Sequence, residues 1–154
     1  MDLKKIIHEE NCLLLKERNK TEVIIEMIKS IVESGRVDDE ETLKKEIFYR
    51  EQLMSTGIGM GIGVPHIRFS GVDEPVAAVG ILPAGINDYE SIDNQSVTIV
   101  IMILVGEHQH KQHIRLLSQI MEKLKNPQLR SALISCNTPH EIYELITGER
   151  NGQD

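Results

Sequence analysis

The sequence predicts a three-layer α/β/α sandwich, and three observations carry that prediction. Residues 96–105, Ser-Val-Thr-Ile-Val-Ile-Met-Ile-Leu-Val, are a continuous β-branched and aliphatic run. Such a run reads as a strand buried on both faces, hence central in a covered sheet. Ile24, Met27, Ile28 and Ile31 recur at i, i+3, i+4 and i+7, which places one apolar stripe on a helix. Further helical patterns alternate with strand-like runs, so helices have to cover the sheet. A chain of 154 residues is long enough to bury a core in one domain, assigned to residues 1–150 with a polar tail at 151–154.

In chain order, residues 2–9 read as a short helical turn and Cys12 to Leu15 as an apolar strand. Thr21 is a candidate N-cap for the first long helix, and Gly35 a C′ stop. The acidic run Asp38-Asp39-Glu40-Glu41 complements a helix dipole, and Asp38 with Glu41 has capping-box spacing. That second helix carries Leu43, Ile47, Phe48 and Met54 and ends near Ser55-Thr56-Gly57. Val76 to Leu82 reads as a strand closed by Pro83-Ala84-Gly85. After the central strand, Gly106 to Gln112 is a polar loop. Ile114, Leu117, Ile120, Met121 and Leu124 mark a third long helix. Asn126-Pro127 starts another helix, and Thr138-Pro139-His140-Glu141 is a capping box with Pro at N1. Strand order is not encoded in these patterns.

Composition narrows the function. A formal charge of −7 argues against nucleic acid or an anionic membrane as main partner, since both need a basic face. Cys12 and Cys136 stand near opposite ends and form neither metal spacing nor a disulfide framework. There is no signal-peptide pattern and no apolar run of membrane-spanning length, so direct membrane insertion is not expected and a cytoplasmic location is.

The most informative stretch is Arg50 to Arg68. Gly57, Gly59, Gly61 and Gly63 alternate with Ile58, Met60, Ile62 and Val64, and the run ends at Pro65-His66. It reads as a strand with one face reduced to glycine. It fits neither nucleotide motif. No strand precedes it, as a dinucleotide fingerprint requires, and no Gly-Lys-Ser/Thr closes it, as a P-loop requires. Close helix packing alone explains the glycines. It does not explain why Arg50, Ser55, Thr56, His66 and Arg68 gather around them. A neutral imidazole, with an ordinary pKa of about 6.5, is a good nucleophile near pH 7. A phosphorylated one needs donors for its oxygens, and Arg50, Ser55, Thr56 and glycine-rich backbone suit that.

His108, His110 and His113 form His-x-His-x-x-His, which invites a zinc reading. No carboxylate stands in metalloprotease spacing, so a solvated loop is the better reading for His108 and His110, with no metal and no cofactor expected. His113 opens a helix, from where it can point back at a second element. His8 and His140 are read as surface residues.

These residues carry a family resemblance. Arg50-Glu51 followed by Ser55-Thr56-Gly57-Ile58-Gly59-x-Gly61-Ile62-x-Val64-Pro65-His66 resembles the signature of enzyme IIA domains of the fructose/mannitol type, of the bacterial phosphoenolpyruvate:sugar phosphotransferase system. Gly85-Ile86, Asp93, Val97 and His113-Ile114-x-x-Leu117 extend the likeness over nearly the whole chain. The resemblance implies a mixed-sheet α/β/α sandwich. It implies that His66 takes a phosphoryl group from the phosphocarrier HPr and passes it to a cysteine of a IIB domain for sugar uptake. His113 is then the second active-site histidine and Arg50 a phosphoryl-holding arginine, beside Ser55, Thr56 and Gly57, which donor chemistry alone puts forward as phosphate-binding. The nitrogen-related IIA proteins share these features, which implies an alternative: a regulatory module whose phosphorylation state controls binding to other proteins. Gly63 stands where the family often has alanine, and the loop 106–110 lacks a proline often found there. With no IIB, HPr or membrane segment fused to it, the chain is expected to act in trans.

Overall fold

A computed structural model describes residues 2–148, so the expected polar tail lies outside the described residues. Six strands form one mixed sheet: β1 (Ile7–Leu14), β2 (Gly57–Gly59), β3 (Ile62–Gly63), β4 (His66–Arg68), β5 (Val76–Ile86) and β6 (Val97–Val105). The order is β1-β5-β6-β3-β2, and β4 continues beside β6 beyond β3. β1 runs parallel to β5, β5 antiparallel to β6, and β3 and β4 parallel to β6. β6 is the central strand its composition predicts.

Alternation along β6 splits the core in two. Ile99, Ile101, Ile103 and Val105 face one side, packing with Leu116, Ile120 and Leu124 of α3 (His110–Leu124), with α4 (Pro127–Ile134) and with α5 (Pro139–Thr147). Val100, Met102 and Leu104 face the other, against α1 (Lys20–Glu33) and α2 (Glu40–Leu53). Helices therefore cover both faces, giving the α/β/α sandwich. The α1 stripe of Ile24, Met27, Ile28 and Ile31 is fully buried. Each such side chain contributes about 1.5–3 kcal/mol on leaving water.

Several local expectations shift. β1 begins at Ile7, because Ile7 and Cys12 both pair with β5; only Leu3–Lys5 is helical, a single 3₁₀ turn. The α1 cap is Asn19, whose side chain accepts from the Glu22 N–H, not Thr21. The α2 cap is Asp39, accepting from the Thr42 N–H, not Asp38. β5 runs through Pro83 to Ile86, with its pairing shifted between Ile81 and Ile86, where Gly85 has a φ of 87°. α3 starts at His110, and its buried stripe is Leu116, Ile120 and Leu124, leaving Ile114 54% exposed. Cys12 and Cys136 are both buried free thiols.

The largest difference is the glycine run. It is a hairpin, not one strand. Gly59, Met60 and Gly61 have φ of 95°, 59° and 75°, so the chain reverses there and β2 returns antiparallel on β3. Left-handed backbone is easy for glycine, and the two glycines flanking Met60 make the turn possible. The Met60 N–H is held by the Asp93 carboxylate at 2.9 Å.

Candidate functional site

The hairpin leads through Val64-Pro65 into β4, so His66 sits beside Ile103 near the carboxyl end of β6. The loop after β6 turns directly into α3, which brings His113 back over that end. Gln109 holds this loop: its Oε1 accepts from the Gly106 N–H at 2.6 Å and its Nε2 donates to the Asp73 carbonyl at 3.0 Å. This clamp defines the loop without the missing proline. The His66 and His113 rings meet edge to face, centroids 5.1 Å apart at 73°.

The Nδ1 of His66 lies 2.6 Å from the Val64 carbonyl oxygen. A carbonyl only accepts, so Nδ1 carries the proton and, in the neutral ring, Nε2 keeps its lone pair. Lys45, Tyr49 and Arg50 of α2, Arg68 of β4, and His110 and His113 of α3 line the cleft around it, about 770 Å³ in volume. Among the described residues, Lys45, Arg50 and Arg68 make no ion pair. Glu46 of α2 lines the cleft as well, so three cations without ion pairs face one carboxylate, and on a chain of charge −7 this local excess of positive charge suits an anion. Burial holds the pKa of His113 below its ordinary value, reinforced by the nearby charges of His66, Arg68, His110 and Arg50. A neutral His113 can donate or accept a hydrogen bond.

The structure therefore brings together Arg50, His66 and His113. It sets Ser55, Thr56 and Gly57 apart: none of them lines the cleft. Ser55 Oγ donates to the Glu90 carbonyl at 2.7 Å, and Thr56 Oγ1 lies 2.6 Å from the Tyr89 hydroxyl. Gly57 packs so closely under Glu90 that an added Cβ would lie 2.1 Å from its carbonyl oxygen. Those side chains are engaged behind the hairpin. Conversely, sequence reasoning missed Lys45 and Tyr49. The available signal was the i, i+4 spacing of Lys45 with Tyr49 and of Glu46 with Arg50, two adjacent rows that α2 turns toward the cleft. His108 is exposed and does not line the cleft; no three His, Cys, Asp or Glu side chains among the described residues converge as a metal site. No described helix is long and apolar enough to cross a membrane.

Fold and site together define a class: an α/β/α protein with a paired-histidine, cationic cleft at the end of its central strand. Comparison with known proteins places it further. Residues 5–149 match the family described as phosphoenolpyruvate-dependent sugar phosphotransferase system, EIIA 2, and the chain belongs to that family. It is 36% identical over 115 residues to a nitrogen regulatory protein of Pseudomonas aeruginosa, covering 75% of this chain and 74% of that one. It is 33% identical over 134 residues to the fructose-specific EIIABC component of Bacillus subtilis, covering 87% of this chain but only 21% of that protein's length. Among solved structures it resembles the nitrogen regulatory protein IIA-Ntr of Neisseria meningitidis, with a TM-score of 0.85, 22% identity, and coverage of 94% of this chain and 99% of that one. It also resembles IIA mannitol of Escherichia coli, with a TM-score of 0.76, 22% identity, and coverage of 90% and 97%. The sandwich fold is thus shared with both.

Proposed function

We propose that this chain is a phosphohistidine phosphotransfer protein in which His66 Nε2 attacks the phosphoryl group carried by HPr. The observation that carries this is the Nδ1–H to Val64 carbonyl bond, which leaves Nε2 free within a cleft lined by unpaired cations. The nitrogen forms a bond to phosphorus as the bond to the HPr histidine breaks. Charge spreads over the three equatorial oxygens, so catalysis is positioning plus electrostatic stabilisation. Arg50, with Lys45 and Arg68, supplies that stabilisation, and His113 hydrogen-bonds the phosphoryl group from the α3 side. Ser55, Thr56 and Gly57 contribute from behind, through the hairpin they anchor. The group then passes to a cysteine thiolate of a IIB domain that serves sugar uptake. A solved complex of IIA mannitol with phosphorylated IIB mannitol supports a partner of this kind, as a relative of the same fold.

A second reading rests on the Pseudomonas relative, a nitrogen regulatory protein matched over three quarters of both chains. There the same phosphohistidine would act as a switch on binding to other proteins. Incubation with enzyme I, HPr and labelled phosphoenolpyruvate, followed by a panel of IIB domains, tests both. Label on His66 that moves to a IIB cysteine within seconds supports the transport role. Label that moves to none supports the switch. Absence of label on His66 ends both readings.

A further inference from the structure

We infer that the buried network Lys20–Glu51–Tyr89–Thr56 is the positioning device of His66, setting which of its ring nitrogens carries the proton. This rests on the reading of His66 Nε2 as phosphoryl acceptor. The network lies behind the glycine hairpin and lines no part of the cleft. Its centre is Glu51, the residue after Arg50, with a side chain only 5% exposed. Glu51 Oε1 accepts from Lys20 Nζ at 2.9 Å and from the Thr56 N–H at 3.3 Å. Its Oε2 is buried without a partner among the described residues. A buried ion pair with an unsatisfied oxygen stabilises poorly compared with apolar packing, so stability alone does not account for it.

The connections point to the hairpin. Lys20 Nζ lies 4.5 Å over the centre of the Tyr89 ring and donates to Ser55 Oγ at 3.2 Å. The Tyr89 hydroxyl meets Thr56 Oγ1 at 2.6 Å. Burial, with the Glu51 charge beside it, raises the Tyr89 pKa, so the phenol keeps its proton for that bond. The Tyr89 ring presses on the hairpin at Gly63, where an added Cβ would lie 2.7 Å from Cζ. A side chain at this position would have to displace the Tyr89 ring. One step further, the Thr56 carbonyl accepts from the Val64 N–H at 3.0 Å, and the Val64 carbonyl accepts from His66 Nδ1 at 2.6 Å. Glu51 holds the Thr56 N–H, Thr56 holds Val64, and Val64 holds the imidazole. Each link is a hydrogen bond between groups with few other choices, so a shift at one end reaches the other. Because Glu51 and Arg50 are adjacent on α2, the same carboxylate ties the cationic helix to the nucleophile's strand.

The test uses the full chain in two variants. Lys20→Met combined with Glu51→Gln removes both charges together, and Tyr89→Phe removes one oxygen. Nitrogen-15 spectra of the His66 ring at about pH 8, where imidazole is neutral, read the tautomer directly. Wild-type protein is expected to show Nδ1–H alone. In both variants, with an otherwise native spectrum, the Nε2–H form is expected to appear. HPr-dependent phosphorylation is expected to fall about tenfold in kcat with KM unchanged, because orientation and not docking is lost. If both folded variants retain a single Nδ1–H tautomer, the inference is wrong whatever the rates. If the double variant does not fold, Tyr89→Phe decides by the same criterion. The tautomer needs no phosphoryl donor, so failure of label to reach wild-type His66 would end the functional reading without deciding this one.

Discussion

Two histidine environments in this molecule contrast sharply. His66 and His113 meet in a cleft whose charged neighbours include Arg50, Arg68 and Lys45. His140, on α5, sits between carboxylates, bonding Glu9 of β1 through Nδ1 and Glu144 through Nε2. The first setting lowers a histidine pKa, as at His113, through burial and neighbouring positive charge. The second raises it, through hydrogen bonds that the ring donates to Glu9 and then to Glu144. His113, among cations, gives up its proton more readily than a free imidazole; His140, among carboxylates, holds its proton more tightly. Residue type does not separate these roles. The charges delivered by neighbouring elements do.

The largest effect expected from breaking this contrast is His66→Ala, which should abolish labelling by phospho-HPr. Uptake at the wild-type rate would remove the basis of the comparison. His113→Ala should slow labelling by about a hundredfold, the range of a lost acid–base or hydrogen-bonding partner. Its melting temperature should stay within about 3 °C, since the side chain is only half-buried. A large thermal loss with unchanged transfer would instead make His113 a packing residue.

The two environments should also give opposite pH signatures in stability. The depressed pKa of His113 means the unfolded chain binds its proton first. Its contribution is therefore complete above the unfolded value of about 6.5 and is lost as pH falls below it. The raised pKa of His140 gives the reverse: a contribution complete below about 6.5 and lost as pH rises through the folded value. Denaturant titrations from pH 5 to 8 on His113→Gln and His140→Gln check both signs; equal slopes in the two variants would refute the assignment. The smallest effect should come from His140→Ala on transfer itself, within about twofold of wild type, because α5 contributes nothing to the cleft.

Much of this was legible in the sequence, and the gaps have physical causes. The apolar stripe of α1 and the unbroken run of β6 are burial patterns, and burial is what periodicity encodes. Caps moved by one or two residues because Asn19 and Asp39 competed with equally suitable neighbours. The glycine alternation read as a strand because period two does not reveal a sign of φ. Only the structure shows Met60 at 59° between two left-handed glycines. Residue type and motif singled out His66, Arg50 and His113, which the fold places in one cleft. Lys45 and Tyr49 were hidden in a polar helix face that looks like ordinary solvated surface. Ser55 and Thr56 were drawn toward His66 by adjacency along the chain, whereas the hairpin turns their hydroxyls back toward Tyr89 and Glu90.

The central claim is that the Val64 carbonyl, by holding Nδ1–H, leaves Nε2 as the nucleophile of His66. Nitrogen-15 and phosphorus-31 spectra of the protein after reaction with phospho-HPr test it most directly. A single phosphoryl group coupled to Nε2 of His66 is the predicted result. Coupling to Nδ1, or a phosphoryl group on any other residue, would contradict it.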